Sequence, residues 1–486
     1  MYDASSVRPS VVLGLLAALP ASCSPQEERA SPSQRAPVPR PDVLLVSIDS
    51  LRADHLSCYG YPKPTSPNLD RLAREGVRCA QVVSTTSWTL PAHAAMFTGL
   101  FDSTHGVVDN ELALPANAAT LAERLRDAGY RTAGLFGGPY LHPVFGLSQG
   151  FERWIDCTSA ARELPRDSVV KHVLDPLEDL SRRDVTGPRT LDEALRLLRE
   201  LPADEPLFLF VHLWDVHYDY EPPEEYWRRF DPDWSGTLDT RDLPRNPALH
   251  ANMPKRELEH LIARYDGEIA FTDAILGRLV EEWDARRGRA NALVLVTADH
   301  GEEFFEHGGK GHQRSLFEES IRVPWIARWP GHFDGGRVVE PLVRLVDVAP
   351  TVLAAAGLAF QASVQGRDVG ALLRGEAMEP LPALCELLVD GAEIRAVRGE
   401  TAKTIRFKDG RLVFTLDLAR DPAEQEPLPA GSEPMQRGLR ELEALTRAAQ
   451  ERGRALDLRG KRIVADEAVR SALRGLGYTD GDEGPR

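Results

Sequence analysis

The chain has 486 residues, enough for one large domain with a smaller appendage or for two to three ordinary domains. Hydrophobic residues make up 42% and charged residues 27%, the composition of a soluble globular protein. The formal net charge of −16 argues against nucleic-acid binding through phosphates. It does not argue against small anionic substrates, because a bound metal reverses the field inside a pocket.

The first 23 residues read as an export signal, with Arg8 before a short apolar run over residues 11–19 that is too short to span a bilayer. Two small residues precede Cys23, as in a bacterial lipoprotein signal, and ordinary cleavage just before it is an equal alternative. We expect an exported protein, either periplasmic or anchored to a membrane only through a lipid at Cys23. Residues 24–40 are rich in Ser, Pro and Gln and are predicted to be a disordered linker.

Residues 41–384 are predicted to form the main domain, in which strands and helices alternate. Its strands include three continuous apolar runs that end in Asp or His, over residues 42–49, 207–217 and 292–300. Continuous apolarity is typical of a strand that is buried on both faces of a parallel sheet. Two further strands are predicted over residues 131–136 and 323–329.

Helices are predicted between these strands. Thr120 with Glu123, and Thr190 with Glu193, each have the spacing of a capping box at a helix start. Residues 257–283 form a long amphipathic stretch. The alternation predicts an α/β fold with a mostly parallel central sheet and helices on both faces. In such folds ligands bind beyond the carboxyl ends of the strands.

The pattern changes after the main domain. Residues 393–406 and 411–416 read as strands that pair around a turn signal at 408–410. We therefore predict a small antiparallel C-terminal subdomain over residues 385–430. Short amphipathic segments predict a helical tail over residues 431–486.

Acidic and histidine side chains stand at the predicted strand ends. Asp49, Asp299 and His300 are the types of ligand that a divalent cation binds. Taken alone, each is more often structural, because an Asp after a strand commonly caps the next helix. Two strands with the same ending, and His217 at the end of a third, favour a shared metal site.

Two other segments carry candidate groups. Thr89 precedes Pro91 in a segment that reads as a short helix ending at Gly99, so Thr89 would lie at a helix N-terminus that favours anions. The alternative, more common on position alone, is that Thr89 is only an N-cap. A glycine-rich loop carries Lys310 and His312 and either holds a tetrahedral oxyanion or is an exposed flexible loop.

These segments, in this order, resemble the sulfatase family of the alkaline-phosphatase superfamily. The similarity covers residues 42 to about 430. It is carried by DVLLVSIDSLRADHLSCYG at 42–60, SPNLDRLA at 66–73, TLPAH at 89–93, YDGEIA at 265–270 and TADHGE at 297–302.

The resemblance implies a role for each matching position. Asp49, Asp299 and His300 would be the metal ligands and Thr89 the nucleophile. His217 would contact the ester and protonate the leaving oxygen. The resemblance leaves open whether Lys310 or His312 contacts the transferring group.

The chain also departs from the family pattern. Sulfatases carry Cys or Ser, converted to formylglycine, and then Pro and Arg, whereas here Thr89 and His93 stand at the first and last of these positions. Threonine cannot become formylglycine, although relatives that act on phosphorus esters use plain threonine. Ser50 replaces a second Asp ligand, which favours manganese, magnesium or zinc over calcium. Gly-Gly-Pro-Tyr at 137–140 replaces a Lys-x-His pair, so that either His142 substitutes or the loop is structural.

We therefore expect a hydrolase with one divalent metal ion, either calcium or manganese, magnesium or zinc, that cleaves a sulfate ester of a small molecule or carbohydrate. The first alternative is a phosphomonoesterase or phosphodiesterase of the same superfamily that uses unmodified Thr89. A two-metal form of it would use Asp215, His217 and His312. The second alternative is a catalytically silent binding protein.

Overall fold

The computed structural model describes residues 40–158, 185–360, 363–389, 392–407 and 412–463. The predicted export signal, the predicted linker up to residue 39, the turn at 408–410 and the tail beyond residue 463 lie outside this part of the chain. Among the helices that are described, none combines the length and apolar composition needed to cross a bilayer.

The strands are β1 (Asp42–Ile48), β2 (Val77–Cys79), β3 (Val82–Val83), β4 (Leu112–Ala113), β5 (Arg131–Phe136), β6 (Arg153–Asp156), β7 (Leu207–Leu213), β8 (Ala292–Ala298), β9 (Glu303–Phe304), β10 (Lys310–Gly311), β11 (Trp325–Arg328), β12 (Arg337–Val339), β13 (Val343–Arg344), β14 (Ala383–Val389), β15 (Ala392–Arg398), β16 (Ala402–Phe407), β17 (Val413–Asp417) and β18 (Lys461–Arg462). The α-helices are α1 (Pro67–Glu75), α2 (Thr89–Thr98), α3 (Asp102–His105), α4 (Leu121–Asp127), α5 (Gly187–Glu200), α6 (Glu224–Trp227), α7 (Lys255–Trp283), α8 (Glu318–Ile321), α9 (Val348–Ala355), α10 (Gly370–Leu373) and α11 (Glu433–Ala455).

Eight strands form the central sheet, in the order β12-β2-β11-β8-β1-β7-β5-β6. The five consecutive strands from β8 to the edge strand β6 are parallel, and β11 is antiparallel to its neighbours β8 and β2. Every residue of β1, β7 and β8 is buried, as their continuous apolar runs predict. The helices pack in two groups, α7 with α1, α5 and α6, and α2 with α3, α4 and α9. The predicted α/β fold with a mostly parallel sheet is confirmed.

The register of the sheet determines where the strand ends lie. Ile48 of β1 is paired with Leu213 of β7 and with Ala298 of β8, so the three strands end side by side. The residues that follow them leave the sheet at one edge, the carboxyl edge at which α/β folds bind ligands. Asp49 and Asp299 are therefore neighbours in space.

One of the two predicted capping boxes is wrong. Thr120 and Glu123 form theirs at the start of α4, with both reciprocal hydrogen bonds present. Helix α5, however, begins at Gly187, since a proline in its first turn starts the helix earlier. Thr190 is therefore inside the helix, where its hydroxyl donates to the carbonyl of Thr186 at 3.1 Å.

The C-terminal sheet has four antiparallel strands in the order β14-β15-β16-β17. The single strand predicted over residues 393–406 is wrong, because the chain reverses after β15 in a turn closed by a 2.8 Å hydrogen bond from the Gly399 N–H to the Ala402 carbonyl. Leu442 of α11 packs in a small core with Leu384 of β14 and Phe101 beside α3. The C-terminal sheet is thus joined to the main domain by a shared apolar core.

Candidate active site

Three of the predicted site residues form one buried group. Asp49 directly follows β1, and Asp299 with His300 directly follows β8. One ligand atom from each lies within 4.8 Å of the other two, and all three side chains are fully buried. The Nε2 atom of His300 is 3.6 Å from Asp299 Oδ2 and 4.0 Å from Asp49 Oδ1. This is a possible metal site.

Thr89 lies against the same group. Its hydroxyl oxygen is 3.2 Å from His300 Nε2, and the hydroxyl donates to Asp49 Oδ2 at 3.4 Å. Thr89 is the first residue of α2, whose N-cap residue is Trp88, and no side chain caps that helix. The interpretation of Thr89 as a mere N-cap is therefore wrong. Its hydroxyl contacts Asp49 and His300 of the possible metal site, which we call the metal group. It lies at the N-terminus of α2, where the helix dipole is positive.

Unsatisfied atoms show that this group fits a cation. Asp299 Oδ1 accepts from the backbone N–H groups of Ser50 and His300, but Asp299 Oδ2 has no hydrogen-bond partner. His300 Nδ1 donates to the Gly301 carbonyl at 2.8 Å, which places the lone pair on Nε2, the atom that faces the carboxylates. A buried polar atom without a partner costs about 1–3 kcal/mol, and a cation bound there would remove that cost.

The electrostatics of the group agree with this fit. Burial raises the pKa of Asp49 above its ordinary value, although the neighbouring His300 acts to lower it. For His300, burial acts to lower the pKa, but the nearby Asp299 and Asp49 carboxylates outweigh burial and raise it. Two desolvated carboxylates thus favour the binding of a positive charge between them.

His217 and His312 stand beside the metal group. The ring centroid of His312 is 4.5 Å from that of His300 and 4.9 Å from that of His217. His312 Nδ1 is 3.1 Å from Glu302 Oε1, and its Nε2 has no hydrogen-bond partner. His217 Nδ1 donates to the carbonyl of Tyr218. His312 is therefore held next to His300, and His217 lies next to His312.

Lys310 is engaged elsewhere. Its ammonium group donates to the carbonyls of Asn246 at 2.7 Å and Leu249 at 2.6 Å. Burial lowers its pKa below the ordinary lysine value. Of the two groups that the resemblance left open, the geometry favours His312 for contact with the transferring group. The catalytic role of Lys310 stays a prediction.

Among the residues that the structure describes, Asp215 does not belong to a group with metal-ligand spacing. Its Oδ2 accepts from the Thr186 hydroxyl at 3.1 Å and lies against Gly187 at the start of α5. Two groups of the described residues have metal-ligand spacing: Asp49 with Asp299 and His300, and His93 with His212 and Asp299. The set expected for a two-metal phosphatase, Asp215, His217 and His312, is not among them.

The Gly-Gly-Pro-Tyr loop is shaped by Trp214. A Cβ atom on Gly138, whose φ is +81°, would lie 2.2 Å from the Trp214 ring, and one on Gly137 would lie 2.9 Å from Trp214 Cβ. Trp214 in turn stacks on His217 with ring centroids 3.9 Å apart. His142 accepts from the backbone of a short helical turn through Nδ1. The structural interpretation of this loop is the one that the packing favours.

Sequence reasoning did not single out Glu302 and His212. Glu302 is fully buried between His312 and Tyr220, whose hydroxyl donates to it at 2.9 Å, and burial raises its pKa to about 8. His212 lies inside β7, where burial lowers its pKa to about 4. An imidazole within an apolar run buried on both faces needs a polar partner, and this signal was present in the sequence.

Comparison with known proteins identifies the family. The model described as Sulfatase matches residues 41–358, and the model described as N-sulphoglucosamine sulphohydrolase, C-terminal, matches residues 306–445. The ulvan-active sulfatase of Formosa agariphila is 25% identical over 413 residues, which cover 80% of this chain and 77% of that protein.

Solved structures share the fold. A protein in complex with its substrate D-glucosamine-2-N,6-O-disulfate has a TM-score of 0.67 at 19% identity, covering 86% of this chain and 98% of that one. The phosphonate monoester hydrolase of Agrobacterium radiobacter has a TM-score of 0.67 at 25% identity, covering 85% and 96%. Because the first family model alone spans more than half of the 486 residues, this chain belongs to the sulfatase family.

Proposed function

We propose that this chain hydrolyses a sulfate ester of a carbohydrate or small molecule, with Thr89 as the attacking group and one divalent cation held by Asp49, Asp299 and His300. One observation carries the proposal: the Thr89 hydroxyl lies 3.2 Å from His300 Nε2 and donates to Asp49 Oδ2. Family membership and the sulfated sugar bound to a protein of the same fold support the choice of ester.

The cation site, Thr89 and the first turn of α2 each have a separate role in the reaction. A divalent cation bound there would supply Lewis acidity to an ester oxygen and to the threonine hydroxyl. The Thr89 hydroxyl gives its proton to Asp49, the carboxylate that accepts its hydrogen bond, as its oxygen bonds to sulfur and the bond from sulfur to the leaving oxygen breaks. The first turn of α2 adds positive potential at Thr89, because the free backbone N–H groups of a helix lie at its N-terminus.

The two histidines complete the arrangement. His312 is held by Glu302 and is placed to contact the non-bridging oxygens of the ester. His217 is held by the Tyr218 carbonyl through Nδ1–H and by stacking on Trp214, and in its imidazolium form it protonates the leaving oxygen from Nε2. Water then cleaves the threonine ester and regenerates the hydroxyl.

A second candidate is hydrolysis of a phosphorus ester by the same groups. The observation that favours it is the nucleophile, since Thr89 cannot become formylglycine and an unmodified hydroxyl attacks phosphorus readily. The likeness to a phosphonate monoester hydrolase supports the same alternative. It requires no change in the roles of Asp49, Asp299 and His300.

One ester panel separates these candidates. The protein is stripped of metal, reloaded with calcium, magnesium, manganese or zinc, and assayed on p-nitrophenyl sulfate, p-nitrophenyl phosphate, bis-p-nitrophenyl phosphate and p-nitrophenyl phenylphosphonate. We expect metal-dependent turnover of the sulfate. Background turnover of the sulfate beside a strong phosphorus-ester signal would remove the sulfatase proposal in favour of the second candidate. Background turnover of every ester by metal-loaded protein would leave only a silent binding protein.

A further inference from the structure

The turn that directly follows β1 contains a strained residue. Ser50 is fully buried and has a φ of +52°, in the left-handed region that residues other than glycine rarely adopt. Such a conformation costs free energy and persists only where the surrounding structure holds it. We therefore looked for the group that holds this turn.

In this conformation Ser50 bonds to both carboxylates of the metal group. Its backbone N–H donates to Asp299 Oδ1 at 3.2 Å, and its hydroxyl donates to Asp49 Oδ1 at 2.7 Å. The other oxygen of each carboxylate is left to the site, since Asp49 Oδ2 accepts from Thr89 and Asp299 Oδ2 has no hydrogen-bond partner. A different backbone conformation at Ser50 would redirect both donors, so the turn sets the orientation of both carboxylates.

Tyr265 of α7 is the group that holds the turn. Its side chain is 0% exposed, and its hydroxyl donates to the Ser50 carbonyl at 2.7 Å. The same hydroxyl accepts from the backbone N–H of Arg52 at 3.0 Å. Main-chain groups of buried residues need hydrogen-bond partners, and a single hydroxyl supplies one on each side of the turn.

Contacts along α7 fix the position of that hydroxyl. The Tyr265 ring packs edge-on against Phe304 and His55, with centroids 5.0 and 5.1 Å away. Asp266, the next residue of the helix, is 2.9 Å from His55 Nδ1 and accepts from the Lys63 ammonium group at 2.8 Å. Helix α7 is thus tied to the segment after β1 by contacts that do not involve the metal group.

We propose that Tyr265 is a positioning residue of the metal site. It holds Ser50 in the left-handed conformation and thereby orients both carboxylates before the cation binds. The proposal gives a role to the first residue of the YDGEIA segment at 265–270, which lies on a helix and not at a strand end. The inference rests on the metal group of the proposed function.

The test removes the hydroxyl and keeps the ring. The full-length Tyr265→Phe variant is stripped with a chelator, and its Zn²⁺ affinity is measured by chelator competition. We expect the affinity to fall by about 10- to 100-fold, as is typical of changes around metal ligands. Tyr59→Phe is the matched control, because the Tyr59 hydroxyl bonds the carbonyl and N–H of Trp325 at 3.3 and 2.9 Å, and it should bind Zn²⁺ like the wild type. Equal affinities in the two variants would overturn the proposal.

A second measurement uses the wild type and so does not depend on whether a variant folds. Hydrogen exchange of the Arg52 amide is followed by mass spectrometry with electron-transfer fragmentation, with and without Zn²⁺. We expect slow exchange in both states, because the bond to Tyr265 exists without the cation. Fast exchange in the metal-free protein that slows when Zn²⁺ is added would overturn the proposal, since the cation itself would then order the turn.

These readouts separate the inference from the proposed function, because neither uses an ester. A wild type that binds Zn²⁺ more tightly than Tyr265→Phe, but turns over no ester, would remove the proposed function and keep the role of Tyr265. Sulfate turnover by the wild type, beside an unchanged Zn²⁺ affinity in Tyr265→Phe, would keep the proposed function and remove the role of Tyr265.

Discussion

The molecule contains two clusters of buried charge that differ in how they are satisfied. In the first, which we call the closed cluster, the fully buried Lys403 contacts the Leu316 carbonyl at 2.9 Å, Glu318 at 3.1 Å and Glu424 at 2.6 Å. Arg398 pairs with the same Glu318 at 3.2 Å. In this cluster each charged side chain meets a group of opposite charge from the protein itself.

The second cluster, which we call the open cluster, contains Asp49, Asp299 and His300 with the neighbouring His212 and His312. There Asp299 Oδ2, both nitrogens of His212 and Nε2 of His312 have no hydrogen-bond partner, although all three side chains are buried. Lys403 of the closed cluster is as fully buried as Asp299 of the open one, so burial alone does not mark a site. What distinguishes the open cluster is that several atoms without hydrogen bonds lie on neighbouring side chains, whereas Glu424 Oε1 of the closed cluster, which also lacks a hydrogen bond, lies 2.6 Å from the Lys403 ammonium group.

The largest expected effect is in the open cluster. Thr89→Ala removes the attacking oxygen and should lower ester turnover by about 10³-fold or more, while Zn²⁺ affinity falls far less. Steady-state kinetics with a chelator-competition measurement of Zn²⁺ affinity checks this. Thr98→Ala, at the other end of α2, is the matched control and should keep turnover within a few-fold. Turnover by Thr89→Ala within ten-fold of the wild type would contradict the role of Thr89.

A pair of variants compares the stability of the two clusters. Lys403→Met leaves Glu424 buried without its cationic partner and Glu318 paired with Arg398 alone, and should destabilise the protein by about 3–5 kcal/mol. Asp49→Asn should instead stabilise the metal-free protein, because burial already disfavours the ionised form of Asp49. Urea unfolding in the presence of EDTA measures both.

Added Zn²⁺ sharpens the contrast between these variants. It should raise the unfolding midpoint of the wild type and of Lys403→Met, but not that of Asp49→Asn, which lacks a ligand. A Zn²⁺-induced shift in Asp49→Asn equal to that of the wild type would show that Asp49 does not bind the cation.

The smallest effect is a dependence on acid pH in the closed cluster. Burial acts to raise the pKa of Glu318, but Lys403 and Arg398 outweigh it and hold the pKa at about 2, against an ordinary value of 4.5. Since the folded-state pKa is lowered, its contribution is present above pH 4.5 and is lost as the pH falls towards 2. The loss should be about 2–3 kcal/mol.

Unfolding free energies between pH 5 and pH 2 test this. Glu318→Gln should be less stable at pH 5 and should lose less stability on acidification than the wild type. Glu433→Gln, an exposed glutamate at the start of α11, is the control and should follow the wild-type profile. Equal acid slopes in the wild type and Glu318→Gln would contradict the origin of the shift.

The sequence predicted the sheet and the metal group because both depend on local patterns. A continuous apolar run predicts a buried parallel strand, and Asp49 or Asp299 directly after such a run must emerge at the binding edge. Lys310 shows where this reasoning ends. Its carbonyl partners, Asn246 and Leu249, lie more than 60 residues away in the chain, so no local pattern indicates that its ammonium group is engaged.

The same limit explains the two errors in secondary structure. The capping box predicted at Thr190 has the correct spacing, but Gly187 and the proline after it begin the helix a turn earlier. In the strand predicted over residues 393–406, apolar residues are interspersed with polar ones on both sides of Gly399, and only the pairing partners reveal the reversal there. His212 is the opposite case. A histidine within an apolar run is visible in the sequence, but its contact with Asp49 is visible only in the structure.

The contact between Trp214 and Gly138 constrains how this site can diverge or be redesigned. Any side chain at position 138 would collide with the indole, which would then lose its stacking on His217. Positions 138 and 214 can therefore vary only as a pair, and a single substitution at either position is expected to lower activity. A combinatorial library that couples a smaller residue at 214 with Asn or Asp at 138, the residues that best tolerate the positive φ of Gly138, would relieve both the collision and the backbone strain.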